Sequence, residues 1–376
     1  MQFKDIIVDP FVAKKLLFGV KNERVSHAQM FLGPEGTGKL PLAIAFSQFL
    51  LCDAPSKTDS CGLCSNCKKV NSLTHPDLHF VYPVPISKAD KVGISDDLRP
   101  EWNSLIHKSP YFNIDTWLEH LDSVGKNPKI GVDESRSIMK KLLLKSYSDK
   151  YKIMIIWLPE KMNPQAANKM LKILEEPPEK TLFFLLSDNN EAILPTIISR
   201  TITVRIPQVK QDVISNFIEK KYGVEKAVAH SVSSLSQGNV VDAINAIQGD
   251  KAQHTYFDLF VKLMRSAYAA NPNDLMNISD EVAALDKEKQ KNFIKYGLHI
   301  FRESIVMNYM KDQLLNLREN EEAFLNKFAR FINNQNVTQL MDEFNDAYYE
   351  LERNANPKIL FTDVVIKLTK LIRKGV

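Results

Sequence analysis

The chain has 376 residues, of which 44% are hydrophobic and 25% charged, with a formal charge of +4. That length exceeds one ordinary domain, and the composition excludes a disordered or fibrous chain. So small a charge permits nucleic acid as a partner without arguing for it. No run nears the ~18 apolar residues of a membrane span, and the charged start Met1-Gln-Phe-Lys-Asp5 is unlike a secretory leader, so a cytoplasmic protein without membrane contact is expected.

Ala28–Leu32 reads as a short apolar strand running into Gly33-Pro-Glu-Gly36-Thr-Gly38-Lys39-Leu40-Pro41, after which apolar residues return at helical spacing from Leu42 to Leu51. Strand, glycine loop and helix in that order make a phosphate-binding loop. Its backbone N–H groups cradle phosphates, its lysine neutralises them, and a final hydroxyl holds Mg²⁺. Gly33, Gly36, Gly38 and Lys39 keep the loop. Leu40 stands where the hydroxyl belongs, and Pro41 removes an N–H from the helix end that should face the anion. A nucleotide site with dismantled chemistry is expected, binding ATP or ADP weakly or not at all.

The chain's four cysteines follow as Cys52-x8-Cys61-x2-Cys64-x2-Cys67, too local for a disulfide framework. Four soft ligands at this spacing can close a tetrahedral Zn²⁺ site that has no open position, which is a structural arrangement. The alternatives are an iron–sulfur cluster, which would want a later cysteine followed by proline, and buried thiols without a ligand. From His75 to Ile130 the pattern weakens around Pro83, Pro85, Pro100 and Pro110. Helical signal survives there only over 111–121, and the stretch reads as an insertion without assignable chemistry.

Residues 153–158 form a continuous apolar run of the kind buried on both faces of a parallel sheet. Asn163 and Pro164 suit the cap and first position of a helix. Ala166, Ala167, Met170, Leu171 and Leu174 share one face of it, and Pro177-Pro178 stops it. Residues 181–186 are a third strand, so a doubly wound α/β domain is expected over 1–206. Beyond it only helical periodicity remains, a small bundle to about 250 and then a longer helical segment. Asn356 and Pro357 open the last helix.

These motifs together resemble the clamp-loader subunits of bacterial DNA polymerase III, within the AAA+ ATPase class. The resemblance is carried by His27-Ala28 before the loop, the cysteines with His75-Pro76-Asp77, and Ile130-Gly-Val-Asp133 leading to Arg136. Ala166-Ala-Asn-Lys-Met-Leu171 leading to Leu174-Glu-Glu-Pro-Pro178, and Leu194-Pro-Thr-Ile-Ile-Ser-Arg200, complete it. It implies an α/β plus all-α chain in three domains. Residues 1–206 would be the AAA+ P-loop domain with a zinc module at 52–67 and an insertion at about 84–125, where the chain is longer than the family pattern, 207–250 a helical lid, and 251–376 an oligomerisation collar. The implied partners are gamma/tau and delta clamp-loader subunits, the sliding clamp, and primed DNA within the complex.

The departures from the family pattern are as telling. Trp157 and Leu158 stand where active subunits carry acidic residues after the strand, and Asp242 follows Gly238-Asn239 where a second sensor would place an arginine, so its charge would repel phosphate. With Leu40 and Pro41 these losses imply a subunit that does not hydrolyse ATP. Arg200, in Ser199-Arg200-Thr201 where the family has Ser-Arg-Cys, is implied to reach a neighbour's nucleotide in trans, a contribution of roughly 10³–10⁵ in rate in the best-studied phosphoryl transfers. The plainer fate of this arginine is an ion pair with a carboxylate of its own domain. The alternative function is an active gamma/tau-like ATPase whose metal carboxylate comes from Glu160 or Asp188.

Overall fold

Strand-forming runs alternate with helices as far as residue 205, and among the described residues helices alone follow. The computed structural model describes residues 1–87, 92–123, 126–248, 250–309 and 319–374, the side chains of 248, 250–255, 288 and 319 excepted. Residues 88–91 and 124–125 of the expected insertion lie outside the described set. The chain divides into two units, Met1–Phe217 with Gly238–Asp242, and Ile218–Gln237 with Ala243–Val376.

The first unit contains α1 (Pro10–Lys21), β1 (Ala28–Leu32), α2 (Lys39–Leu51), α3 (Ser65–Asn71), β2 (Leu78–Val81), α4 (Arg99–Lys108), α5 (Ile114–His120) and α6 (Val132–Leu143). After these come β3 (Lys152–Trp157), α7 (Pro164–Glu175), β4 (Thr181–Ser187), α8 (Pro195–Ile198) and β5 (Ile202–Arg205). The strands pair in parallel in the order β2-β3-β4-β1-β5. Successive side chains on a strand point to opposite faces. Phe31, Ile153, Ile155, Trp157, Leu182, Phe184 and Leu186 therefore join one core with α2, while Met30, Met154, Ile156, Phe183 and Leu185 join another with Ile138, Met170 and Leu174 of α6 and α7. A sheet covered on both faces is why its central strands read as unbroken apolar runs.

β2 and β5 were not legible as strands in the sequence, because each is four residues long and only Val204 of β5 is buried. Helix α7 starts as its sequence implies, with Asn163 Oδ1 accepting from Ala166 N at 2.7 Å. Over 111–121 the helix is shorter than expected. Asn113 Oδ1 accepts from Thr116 N at 2.9 Å and so starts α5 at Ile114, leaving residues 110–113 non-helical. The insertion also holds α4, and its Trp102 and Trp117 gather with Trp157 into one aromatic cluster, ring centroids 5.3 Å apart. These are all three tryptophans of the chain.

The remaining helices are α9 (Gln211–Tyr222), α10 (Lys226–Leu235), α11 (Val240–Gln248), α12 (Asp250–Ala269), α13 (Pro272–Ala283), α14 (Lys287–Tyr309), α15 (Glu319–Phe328), α16 (Val337–Glu352) and α17 (Pro357–Lys374). Within the second unit, Phe260, Phe293, Phe301, Phe344 and Leu368 center one core drawn from α12 to α17. α17 begins where Asn356 Oδ1 accepts from Lys358 N at 3.0 Å. α14 and α16 approach closely at Gly297, where an added Cβ would lie 2.3 Å from Phe344 Cε1.

Candidate functional site

In open parallel sheets ligands collect at the carboxyl ends of the strands where the strand order reverses. Here that point lies beyond β1 and β4, and the loop of residues 33–38 occupies it. Gly36 and Gly38 have φ of 74° and 80°, a region other residues enter at a cost. Gly33 is required for space, since a Cβ there would stand 2.1 Å from Ile206 O. The loop's shape is therefore kept, as expected.

Its lysine is turned inward. Lys39 Nζ donates to Gly33 O at 2.6 Å, Pro34 O at 2.5 Å and Thr37 Oγ1 at 3.3 Å, and pairs with Asp188 Oδ1 at 2.7 Å. Every direction its ammonium could offer a phosphate is filled by the chain itself. Asp188 N in turn donates to Glu160 Oε1 at 3.1 Å, and burial pushes the Glu160 carboxyl above the usual carboxylate range. The two carboxylates considered as metal ligands are thus one committed to Lys39 and one disfavoured as an anion.

The space left against the loop is about 30 Å³, lined by residues 35–41 and 110–113 with Trp157, Asp188 and Val241. That accommodates a water or two, whereas ligand pockets measure about 300–1,000 Å³. Trp157 fills the strand end where an acid would sit, 5% exposed and packed on Phe112 at 5.3 Å between ring centroids. Asn239 Oδ1 caps α11 through Val241 N at 2.9 Å and Asp242 N at 3.2 Å, while Val240 N donates to Gly36 O at 2.9 Å. One expectation needs correction here. Val241, not Asp242, lines the cavity, because neighbouring helix residues point about 100° apart. Residues 110–113, to which the sequence lent no role, are the site members that sequence reasoning missed.

The four cysteine sulfurs lie within 4.8 Å of one another. A tetrahedral zinc with Zn–S bonds of about 2.3 Å sets its sulfurs about 3.8 Å apart, and Cys61 and Cys67 are separated by 3.9 Å. Backbone N–H groups point at the sulfurs, Cys61 N to Cys52 Sγ at 3.2 Å, Cys64 N to Cys61 Sγ at 3.3 Å and Cys67 N to Cys64 Sγ at 3.4 Å. The N–H groups of Cys64 and Leu63 pull the Cys61 thiol down to about 6, while burial pushes Cys52 and Cys67 up. Only a cation among the sulfurs would make all four comfortable as thiolates, so the cluster fits a metal ion. It also reaches the sheet. Asn66 on α3 donates to Asp53 at 2.9 Å and meets His75 Nε2 at 3.2 Å, and Asp77 accepts from Tyr147 N, Ser148 N and Ser148 Oγ, each at 2.8 Å. Burial opposes the Asp77 charge, but these donors hold its carboxyl below the ordinary range.

Arg200 follows the short α8. Its Nε donates to Glu175 Oε1 at 2.7 Å and Nη1 to Thr196 O at 2.9 Å, with Nη2 also on Glu175. Glu175 belongs to the Leu-Glu-Glu-Pro-Pro motif, so the two signatures that carry the resemblance most specifically meet here. The side chains are 31% and 46% exposed, which leaves the guanidinium reachable from outside. Arg136 is more exposed and pairs with Asp133 at 2.7 Å. Among the described residues no helix is long and apolar enough to cross a membrane.

Comparison with known proteins gives a consistent set of relatives. The profile of the family described as "DNA polymerase III, delta subunit" matches residues 8–210. The chain is 24% identical over 365 residues to DNA polymerase III subunit delta' of Bacillus subtilis (strain 168), covering 96% of each. It is 22% identical over 372 residues to subunit delta' of Escherichia coli (strain K12), covering 96% of this chain and 95% of that one. Subunit tau of Bacillus subtilis (strain 168) is 23% identical over 389 residues, covering 98% of this chain but 61% of tau.

Proposed function

The chain belongs to the DNA polymerase III delta-subunit family, and from that premise we propose that it is a delta-prime-like clamp-loader subunit that does not hydrolyse ATP and acts on a neighbour's site. The observation that carries this is the closed loop. Lys39 is engaged by Asp188 and two carbonyls, Leu40 and Pro41 replace the metal-holding and anion-facing groups, and the remaining space is about 30 Å³. Turnover needs a triphosphate, a metal and a positioned water in line, and a space that holds a water or two has no room for the triphosphate and metal.

Within this proposal the chain works in the cytoplasm beside gamma/tau and delta subunits, and the complex places the sliding clamp on primed DNA. Residues 1–206 serve as the AAA+ domain, 207–250 as the lid and 251–376 as the collar. Cys52, Cys61, Cys64 and Cys67 hold a structural Zn²⁺, which ties α3 and the His75 turn to the sheet. Arg200 supplies charge to the nucleotide of an adjacent subunit. Its exposure and its place beside the Leu-Glu-Glu-Pro-Pro motif support that role.

The test is ATP hydrolysis by the purified chain, alone and mixed with the gamma/tau and delta subunits of the same cell. No turnover alone, with raised turnover in the mixture, is expected. Steady turnover by the chain alone, abolished by Lys39→Ala, would mean a gamma/tau-like motor subunit and sink the proposal.

A further inference from the structure

Residues 110–113 come off the end of α4 and cross the mouth of the phosphate loop before α5 begins. Tyr111 and Phe112 are 5% and 8% exposed. The Tyr111 hydroxyl accepts from Ile7 N at 2.6 Å, and its Cε1 lies 3.4 Å from the position a Cβ on Gly38 would take. Phe112 packs on Trp157 and Trp102 at 5.3 and 5.4 Å between ring centroids. Asn113 caps α5 with its oxygen and donates from Nδ2 to Glu35 Oε1 at 3.1 Å. One short segment thus grips the chain before the loop, the loop itself and the strand end behind it.

We infer that residues 110–113 are a built-in plug, an intramolecular occupant of the site where a nucleoside triphosphate would lie. The inference rests on the non-hydrolysing reading of the loop and adds a cause to it. The missing hydroxyl at Leu40 and the missing acid at Trp157 explain why a bound nucleotide would not react. They do not explain why it would be kept out, since the two positive-φ glycines and the N-terminus of α2 still form an anion cradle. Exclusion follows from volume. Two aromatic side chains fill the cradle's mouth, and Ile7 O and Tyr111 leave no space for a side chain at Gly38. A state that opens this segment would therefore expose a triphosphate-binding loop without catalytic power.

The experiment measures ATP binding by the full chain and its Tyr111→Ala/Phe112→Ala variant by calorimetry, with hydrolysis followed separately. ATP is expected to bind the variant at least about tenfold more tightly than the wild type, because the tax of opening the plug is removed, and without turnover. Folding is checked by thermal melting and by tryptophan emission, which reports the cluster beside the plug directly. Should the double variant not fold, Tyr111→Ala alone keeps Phe112 in the aromatic cluster and is expected to show the same change to a smaller degree. Wild-type binding as tight as that of the folded variant would overturn the plug. So would a folded variant that binds no more tightly than wild type, and binding by Asp188→Asn would then place the exclusion in the Lys39 ion pair. Binding accompanied by hydrolysis in the variant would uphold the plug and overturn the non-hydrolysing reading.

Discussion

Glu175→Gln separates a resting contact of Arg200 from a functional one. The pair is 31% and 46% exposed, so its Coulomb attraction is screened by water and it contributes about 0–1 kcal/mol to stability. An arginine that meets charge developing on a transferring phosphoryl group is worth roughly 10³–10⁵ in rate, or about 4–7 kcal/mol at 1.36 kcal/mol per tenfold. The second quantity is several times the first, so Glu175 can hold Arg200 in the free subunit and still release it to a neighbour's nucleotide. Glu175→Gln is expected to shift the unfolding midpoint by less than the equivalent of about 1 kcal/mol and to leave turnover of the reconstituted complex at the wild-type level or above. Arg200→Ala should leave assembly intact and slow the one ATP site it serves by about 10³-fold, seen in single-turnover experiments as a lost fast phase. Arg200→Lys should not restore it, because a point charge does not reproduce the planar fork. An Arg200→Ala complex that assembles and shows every fast phase would reduce the arginine to a partner of Glu175. Equal losses from Glu175→Gln and Arg200→Ala would make the pair a structural unit and end the argument in the same way.

Asp77→Asn should destabilise the first unit by about 1–2 kcal/mol at pH 7, since an amide cannot accept from Tyr147 N and Ser148 N together and one part-buried N–H loses its partner. The folded Asp77 carboxyl lies below its unfolded value near 4, so its contribution is present above that value and lost as pH falls through the folded one. Urea melts of wild type and variant should therefore draw together as pH falls below about 4, and a gap that stays constant would assign the effect to packing. Metal analysis of the purified chain should find one zinc per chain. Its removal by a chelator should open residues 52–67 to alkylation and proteolysis, and a reduced, folded and metal-free protein with the same protection would rule the metal out. Gly297→Ala gains about 1 kcal/mol of helix propensity but forces a Cβ to 2.3 Å from Phe344 Cε1 in a buried ring, so a net loss of about 1–2 kcal/mol is expected in thermal denaturation. A gain in stability would show that the ring yields.

The features legible in the sequence are those whose physics is local. The Gly33-to-Lys39 loop, the cysteine spacing, and the Asn163-Pro164 and Asn356-Pro357 helix starts each depend on residues a few positions apart, and each stands as expected. The central strands are legible for a related reason, since burial on both faces demands unbroken apolar runs. Edge strands β2 and β5 are only four residues long, and β5 buries Val204 alone, so neither run is long enough to announce itself. The state of the site is not local. Lys39 is neutralised by Asp188 from a different strand end, Glu35 meets Asn113 78 positions away, and Arg200 rests on Glu175 from another helix. Composition and spacing determined that a phosphate loop and a cysteine cluster able to hold a metal exist and that the loop lacks its metal-holding hydroxyl. Only the tertiary structure decided that the loop is closed, because filling a volume depends on which distant side chains the sheet and the insertion bring to it, and no periodicity along the chain encodes that.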